Sequence, residues 1–214
     1  RWATQDAPEA GINADHAAQA IMVPWESSIS GLETVPGPSR KQHHVTGSVL
    51  WGLSFAEAFG HVDGRQQGAF KEFLAGAQEF WRQRSVQRHD KKLEIRSVMS
   101  PDEFHTGDND LYTNLLAQWT LNDRSWSTSK GEFVLPEDDT SFLTYEGDRV
   151  RHYKQAAAML AVYPLQYPKA EAQALKMLSR FSDKVTPNGP AMSESIHAAV
   201  EARFGDREAA YARW

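Results

Sequence analysis

Apolar residues recur at three- and four-residue spacing along most of this 214-residue chain, a period that suits helices packed on helices. Residues 45–59 (VTGSVLWGLSFAEAF) are apolar on most faces, which predicts a helix enclosed by others. Residues 66–84 carry Phe70, Phe73, Leu74, Ala77, Phe80 and Trp81 as a one-sided stripe, so this helix is predicted on an outer layer. Residues 111–121 repeat that one-sided pattern with Leu115, Leu116 and Trp119. Residues 153–162 (YKQAAAMLAV) read as an alanine-rich helix closed by Pro164. Further helices are predicted over 170–181, 192–204 and 206–214. Only residues 93–98 (LEIRSV) alternate like a strand, one arm of a short hairpin at the mouth of a helical body. The expected fold class is all-α.

Composition narrows the function classes. With 41% hydrophobic and 24% charged residues the chain is ordinary for a globular protein. Its formal charge of -5 comes without charge blocks and gives no electrostatic case for nucleic acid. No apolar run approaches the roughly eighteen residues that a membrane span needs. The absence of cysteine excludes disulfides and thiolate chemistry and leaves the compartment open. The first residue is Arg1, with no charged-then-apolar leader, and the last lie inside a predicted helix. The expectation is a piece cut at both ends from one larger domain.

Three long connections, 24–44, 99–110 and 123–151, interrupt the helical pattern, and loops of that length are uncommon unless functional. Within the second, Asp102 and Glu103 follow Pro101. A carboxyl there, beside another carboxylate, can retain a proton and act as a general acid. It can equally be a solvated acidic turn, with Asp108 or Asn109 capping the next helix. Trp25 and Glu26 pair an aromatic face with a carboxylate, the chemistry that grips a sugar, or else a packed Trp beside an exposed Glu. Lys154 and Gln155 offer donors and an acceptor to sugar hydroxyls, or form a solvated first helical turn. His43 and His44 are adjacent with no third ligand in view, so no metal site is expected. No phosphate loop, dinucleotide turn or GxSxG elbow is present.

The order of the clusters says more than each alone. MVPWESSISGLE, QHHVTGSVLWGL, VMSPDEFHTGDNDLYTN, YKQAAAMLAVYPL and VTPNGPAM together resemble glycoside hydrolase family 65 over nearly the whole chain. The resemblance implies an (α/α)6 toroid, with the site in the mouth of the inner helical ring. It also implies a carbohydrate substrate, no cofactor, no metal, and a glucosidase that inverts the anomeric centre. Glu103 matches the family's general acid. Trp25, Glu26, Lys154 and Gln155 match residues near the glucose, and His44 matches the histidine that opens an inner helix. His105, Asn109, Tyr112 and Asn114 match the polar loop after the acid, and Asp110 departs from an asparagine usual there.

Hydrolase and phosphorylase branches share this acid and differ in the nucleophile. Phosphorylases seat phosphate on serines just before an S-x-S-I-H-A helix, here Ser193 to Ala198. The matching positions are Pro190 and Ala191, whose side chains donate no hydrogen bond, so hydrolysis is the expectation. The family's base would lie beyond the last residue, and its upstream glucose-binding aspartate would precede Arg1. Twelve helices of about twelve residues with their connections take well over 300 residues, so 214 residues make an arc of such a toroid.

Overall fold

The computed structural model describes residues 20–214, apart from 31, 32, 36, 38, 39, 156 and 189–191. The principal helices are α1 (His44–Ala58), α2 (Gly64–Arg84), α3 (Leu111–Leu121), α4 (Pro168–Glu171), α5 (Ala174–Phe181), α6 (Met192–Phe204) and α7 (Arg207–Arg213). Four two-residue strands lie between α2 and α3: β1 (Val86–Gln87), β2 (Leu93–Glu94), β3 (Val98–Met99) and β4 (Thr106–Gly107). β1 pairs antiparallel with β2 and β3 with β4. No helix among the described residues is long and apolar enough to cross a membrane.

α3 is the spine. Every one of its residues is buried, and it contributes side chains to all three hydrophobic clusters. This corrects the one-sided reading of 111–121. The polar residues that mimic a solvent face are paired inside. Thr113 donates through N and Oγ1 to Asp110 Oδ1 at 2.8 and 2.6 Å. Asn114 Nδ2 donates to Asn109 Oδ1 and to the Val134 carbonyl. Gln118 Oε1 accepts from the Phe133 amide at 3.0 Å, and Thr120 donates to the Leu116 carbonyl. Each such bond nets only about 1 kcal/mol, but leaving one half unmade costs about 1–3 kcal/mol, so the set specifies how α3 sits.

α1 is covered on one side only among the described residues. Its buried residues are His44, Thr46, Gly47 and Leu50, while Leu53, Phe55 and Phe59 are 38%, 47% and 73% exposed. It meets α3 where a Cβ on Gly47 would stand 2.5 Å from Leu116 Cβ. Only glycine permits that approach, which also brings the Trp51 and Trp119 ring centroids to 4.7 Å. α2 follows its predicted stripe, burying Phe70, Phe73, Ala77, Phe80 and Trp81. Its start is a capping box: Asp63 Oδ1 accepts from the Arg65 and Gln66 amides, and Gln66 Oε1 accepts from the Asp63 amide.

Two further readings are corrected. The predicted strand over 93–98 is divided between two hairpins, because Ser97 adopts a φ of 53° and turns the chain. The Ser97 amide donates to Asp108 Oδ1 and the Ile95 amide to Asn109 Oδ1, so side chains replace a continuous ladder. The predicted helix over 153–162 survives only as a 3-10 turn, Ala157–Ala161. Its first residues have other partners: the Tyr153 amide donates to the Lys184 carbonyl, the Thr186 amide to the Tyr153 carbonyl, and the Lys154 amide to Asp102 Oδ1. α6 and α7 form as expected, α7 capped by Asp206, and the segment 170–181 breaks into α4 and α5.

Candidate active site

The loop from β3 to β4 carries Asp102, Glu103 and His105, and the Met99 amide at its start donates to the Lys41 carbonyl, three residues before α1. The base of the loop is fixed from below. Ser100 Oγ accepts from the Asp102 amide at 3.1 Å and donates to Tyr145 Oη at 2.9 Å, and Tyr145 donates in turn to the His105 carbonyl at 3.0 Å. Gly107 makes room for that tyrosine, since a Cβ there would stand 2.5 Å from Tyr145 Cδ1. Burial, followed by the nearby Asp110, raises the Tyr145 phenol far above its ordinary range, so it stays a donor.

Adjacent in sequence, Asp102 and Glu103 face different surroundings. Asp102 is wholly buried and accepts from the Lys154 amide at 2.8 Å and from His105 Nδ1 at 2.5 Å. Glu103 forms an ion pair with Lys154 Nζ, with the lysine and glutamate side chains 24% and 25% exposed. The same ammonium stands 5.4 Å from the Phe104 ring centroid. Glu103, His105 and Lys154 are therefore brought together, and Gln155 follows Lys154 in a half-buried position. His105 also meets Tyr153, ring centroids 6.2 Å apart.

His44 and Tyr112 form a second group behind the loop. Their rings lie 5.9 Å apart, and Tyr112 Oη and Ser48 Oγ are hydrogen-bonded at 3.1 Å. Burial lowers the His44 pKa to about 4, opposed by a hydrogen bond to the Met99 backbone, so the ring is neutral near pH 7. His43 faces elsewhere: Nε2 donates to the Arg40 carbonyl, Nδ1 accepts from Arg84 Nε, and burial takes its pKa to about 3. The two histidines thus share no ligand position, and no group of three metal-ligating side chains occurs among the described residues.

Asn109, matched above to the polar loop after the acid, lies inside the fold. It is wholly buried with a φ of 54°, Oδ1 accepting from the Ile95 amide and Asn114, and Nδ2 donating to Glu146 at 2.6 Å. An asparagine suits that left-handed backbone, and its amide is consumed by the fold. The cap of α3 is Asp110, not Asp108 or Asn109. Trp25 and Glu26 stand in the exposed loop before α1, where Glu26 accepts from Thr34 Oγ1 at 2.7 Å rather than joining the Glu103–Lys154 contact.

Glu146, Asp148 and Glu194 are carboxylates of the type a catalytic base needs, and each is occupied. Glu146 accepts from Asn109 and Arg88, and Asp148 from Tyr153 Oη at 2.5 Å and the Val150 amide. Glu194 pairs with Arg213. Pro190 and Ala191 lie outside the described residues. Sequence reasoning does not single out Tyr145, and it weighs Asp102 only beside Glu103 as an acid, not as a partner of His105. The one available signal was the three-residue spacing of Asp102 and His105, which lets a carboxylate reach back to an imidazole across a turn.

The family model for "Glycosyl hydrolase family 65 central catalytic domain" matches residues 2–135, which include Glu26, His44, Glu103, His105 and Tyr112. The chain is 28% identical over 203 residues to the mouse (Mus musculus) protein-glucosylgalactosylhydroxylysine glucosidase, covering 84% of this chain and 29% of that protein. It is 27% identical over 220 residues to the kojibiose hydrolase of Mucilaginibacter mallensis, covering 92% and 32%. A solved structure, named as a candidate kojibiose phosphorylase from the human microbiome, superposes with a TM-score of 0.70 at 15% identity, covering 97% of this chain and 37% of that one. The chain therefore spans roughly a third of the length of these relatives.

Proposed function

Because the chain belongs to glycosyl hydrolase family 65, we propose that it is part of the catalytic domain of an inverting α-glucoside hydrolase, with Glu103 as general acid. Its substrate is a glucosyl disaccharide or a glucosylated glycan, and the remaining helices of an (α/α)6 toroid come from sequence flanking these 214 residues. The observation that carries this reading is the Glu103–Lys154 pair: a carboxyl and an ammonium side by side, each about a quarter exposed, so that a ligand can reach both.

In the proposed reaction Lys154 turns from Glu103 to the glucose hydroxyls as substrate binds. Glu103, protonated once that ion pair is released, gives its proton to the leaving glycosidic oxygen as the bond to the anomeric carbon breaks. Water attacks from the opposite face, losing its proton to a second carboxylate about 6.5–9.5 Å from the acid, and the configuration inverts. Lys154 and Gln155 hydrogen-bond the glucose hydroxyls, and Trp25 with Glu26 covers the sugar from the loop before α1. His44, Tyr112 and His105 complete the wall of the subsite. The base is assigned to the flanking sequence, because Glu146, Asp148 and Glu194 are held in the fold.

Hydrolysis is favoured over phosphorolysis because the sequence positions matched to the phosphate-binding serines are occupied by Pro190 and Ala191, whose side chains offer no hydroxyl donor. The complete polypeptide should be given kojibiose, trehalose and glucosyl-galactose with and without phosphate, and the first product followed by NMR. Phosphate-independent β-glucose is the expected result. Phosphate-dependent β-glucose 1-phosphate would replace this reading with the phosphorylase one.

A further inference from the structure

We propose that Asp102 is the positioning residue of this site, setting Glu103 and His105 against Lys154 with a single buried carboxylate. The inference rests on Glu103 being the acid, and it assigns to the neighbouring carboxylate a separate task. Asp102 has no solvent exposure, so its oxygens must be satisfied inside the protein. They are met by two groups from different parts of the chain: the Lys154 amide, 52 residues away, on Oδ1, and His105 Nδ1 on Oδ2. A third bond, from the Asp102 amide to Ser100 Oγ, ties the same residue to Tyr145.

Two consequences follow from that geometry. The bond to the Lys154 amide fixes the register of the segment that carries the lysine against the loop that carries the acid. The ammonium therefore meets Glu103 because the backbone beneath it is pinned, and not through side-chain contact alone. A partly exposed ion pair contributes too little to hold two loops together unaided. In the second consequence, a carboxylate accepting from Nδ1 places the ring proton there and leaves Nε2 as the acceptor of His105. The His105 side chain is 30% exposed, so that acceptor is within reach of a ligand hydroxyl beside Glu103.

Residue type and spacing rank the two carboxylates equally, and in the sequence only the family resemblance points to Glu103. The structure separates them by access: the exposed one can touch a substrate and the enclosed one acts through its partners. Asp102→Asn keeps the size and one acceptor but offers Oδ2's place to an amide donor, which cannot accept from His105 Nδ1.

The test uses the complete polypeptide in two arms. The first is independent of turnover: nitrogen-edited spectra of histidine-labelled protein, with the His105 signal identified by its loss in His105→Gln. The expected result is an Nδ1-protonated ring in the wild type and loss of that tautomer in Asp102→Asn. An Nε2-protonated ring, or a tautomer unchanged by Asp102→Asn, overturns the proposal. The second arm compares a glucosyl disaccharide with α-glucosyl fluoride, whose leaving group needs no proton. Asp102→Asn should lower kcat on the disaccharide by about 100-fold, chiefly in kcat and not KM, with an at least about tenfold smaller loss on the fluoride, the pattern expected of Glu103→Gln. Equal losses on both substrates, or no loss on either, would mean that Asp102 serves only folding. If Glu103→Gln itself shows no dependence on the leaving group, the reading of the acid fails, and the tautomer arm decides Asp102 by itself.

Discussion

Asp110 caps α3 from a fully enclosed position, with Oδ1 accepting twice from Thr113 and the buried Oδ2 without a hydrogen-bond partner. Burial raises its pKa to about 7 from 3.8, with the Thr113 bonds opposing the rise and Asp102 and Asp148 adding to it. The folded state therefore binds this proton more tightly than the unfolded one. The stability it contributes is fully present below about pH 4 and is lost as pH rises towards 7, on the order of 1 kcal/mol per pH unit across that window. Asp110→Asn keeps an oxygen for the Thr113 cap and removes this slope. Melting temperatures of wild type and variant should accordingly diverge in the variant's favour between about pH 4 and 7; parallel curves across that window would contradict the assignment. His43 and His44, lowered to about 3 and 4, act in the opposite direction, because the unfolded state takes up their protons first. Their contribution is present above about pH 6.5 and is lost as pH falls, so His44→Gln should lessen the acid sensitivity of the protein. Asn109→Ala removes a buried amide that satisfies Ile95, Asn114 and Glu146, and a loss of about 1–3 kcal/mol in urea unfolding is expected.

At the scale of elements, the contact of α1 with α3 depends on the absence of one methyl group. Gly47→Val would set a branched side chain into Leu116 and should destabilise by about 1–3 kcal/mol, read as a lower midpoint with an unchanged urea slope. How legible each element was follows from where its partners lie. α2 was readable because its cap at Asp63 and its stripe from Phe70 to Trp81 are local. The solvent-like pattern of α3 was misleading because Gln118 and Asn114 are satisfied by Phe133 and Val134, from a later loop. The helix expected over 153–162 failed because Tyr153 and Lys154 are claimed by Lys184, Thr186 and Asp102. The same rule covers the site. The PDEFH block, its order relative to WES and YKQ, and its pointer to Glu103 were visible in the sequence, but the enclosure and partners of Asp102 were not. Those partners include an amide 52 residues distant.

Across the whole molecule, Leu53, Phe55 and Phe59 leave an apolar flank of α1 in solvent. The chain spans roughly a third of its relatives' length, and in the proposed toroid that flank is where neighbouring helices pack. The 214 residues expressed alone should bind a hydrophobic dye or aggregate, and the complete polypeptide should do neither. A monodisperse, active 214-residue protein would contradict that. The central claim, that Glu103 protonates the leaving oxygen of a glucoside, is tested most directly by the turnover of Glu103→Gln in the complete polypeptide. On a disaccharide the loss expected is about 10²–10⁴-fold, and on α-glucosyl fluoride it is far smaller. A near-normal rate on the disaccharide, or the same loss on both substrates, would contradict it.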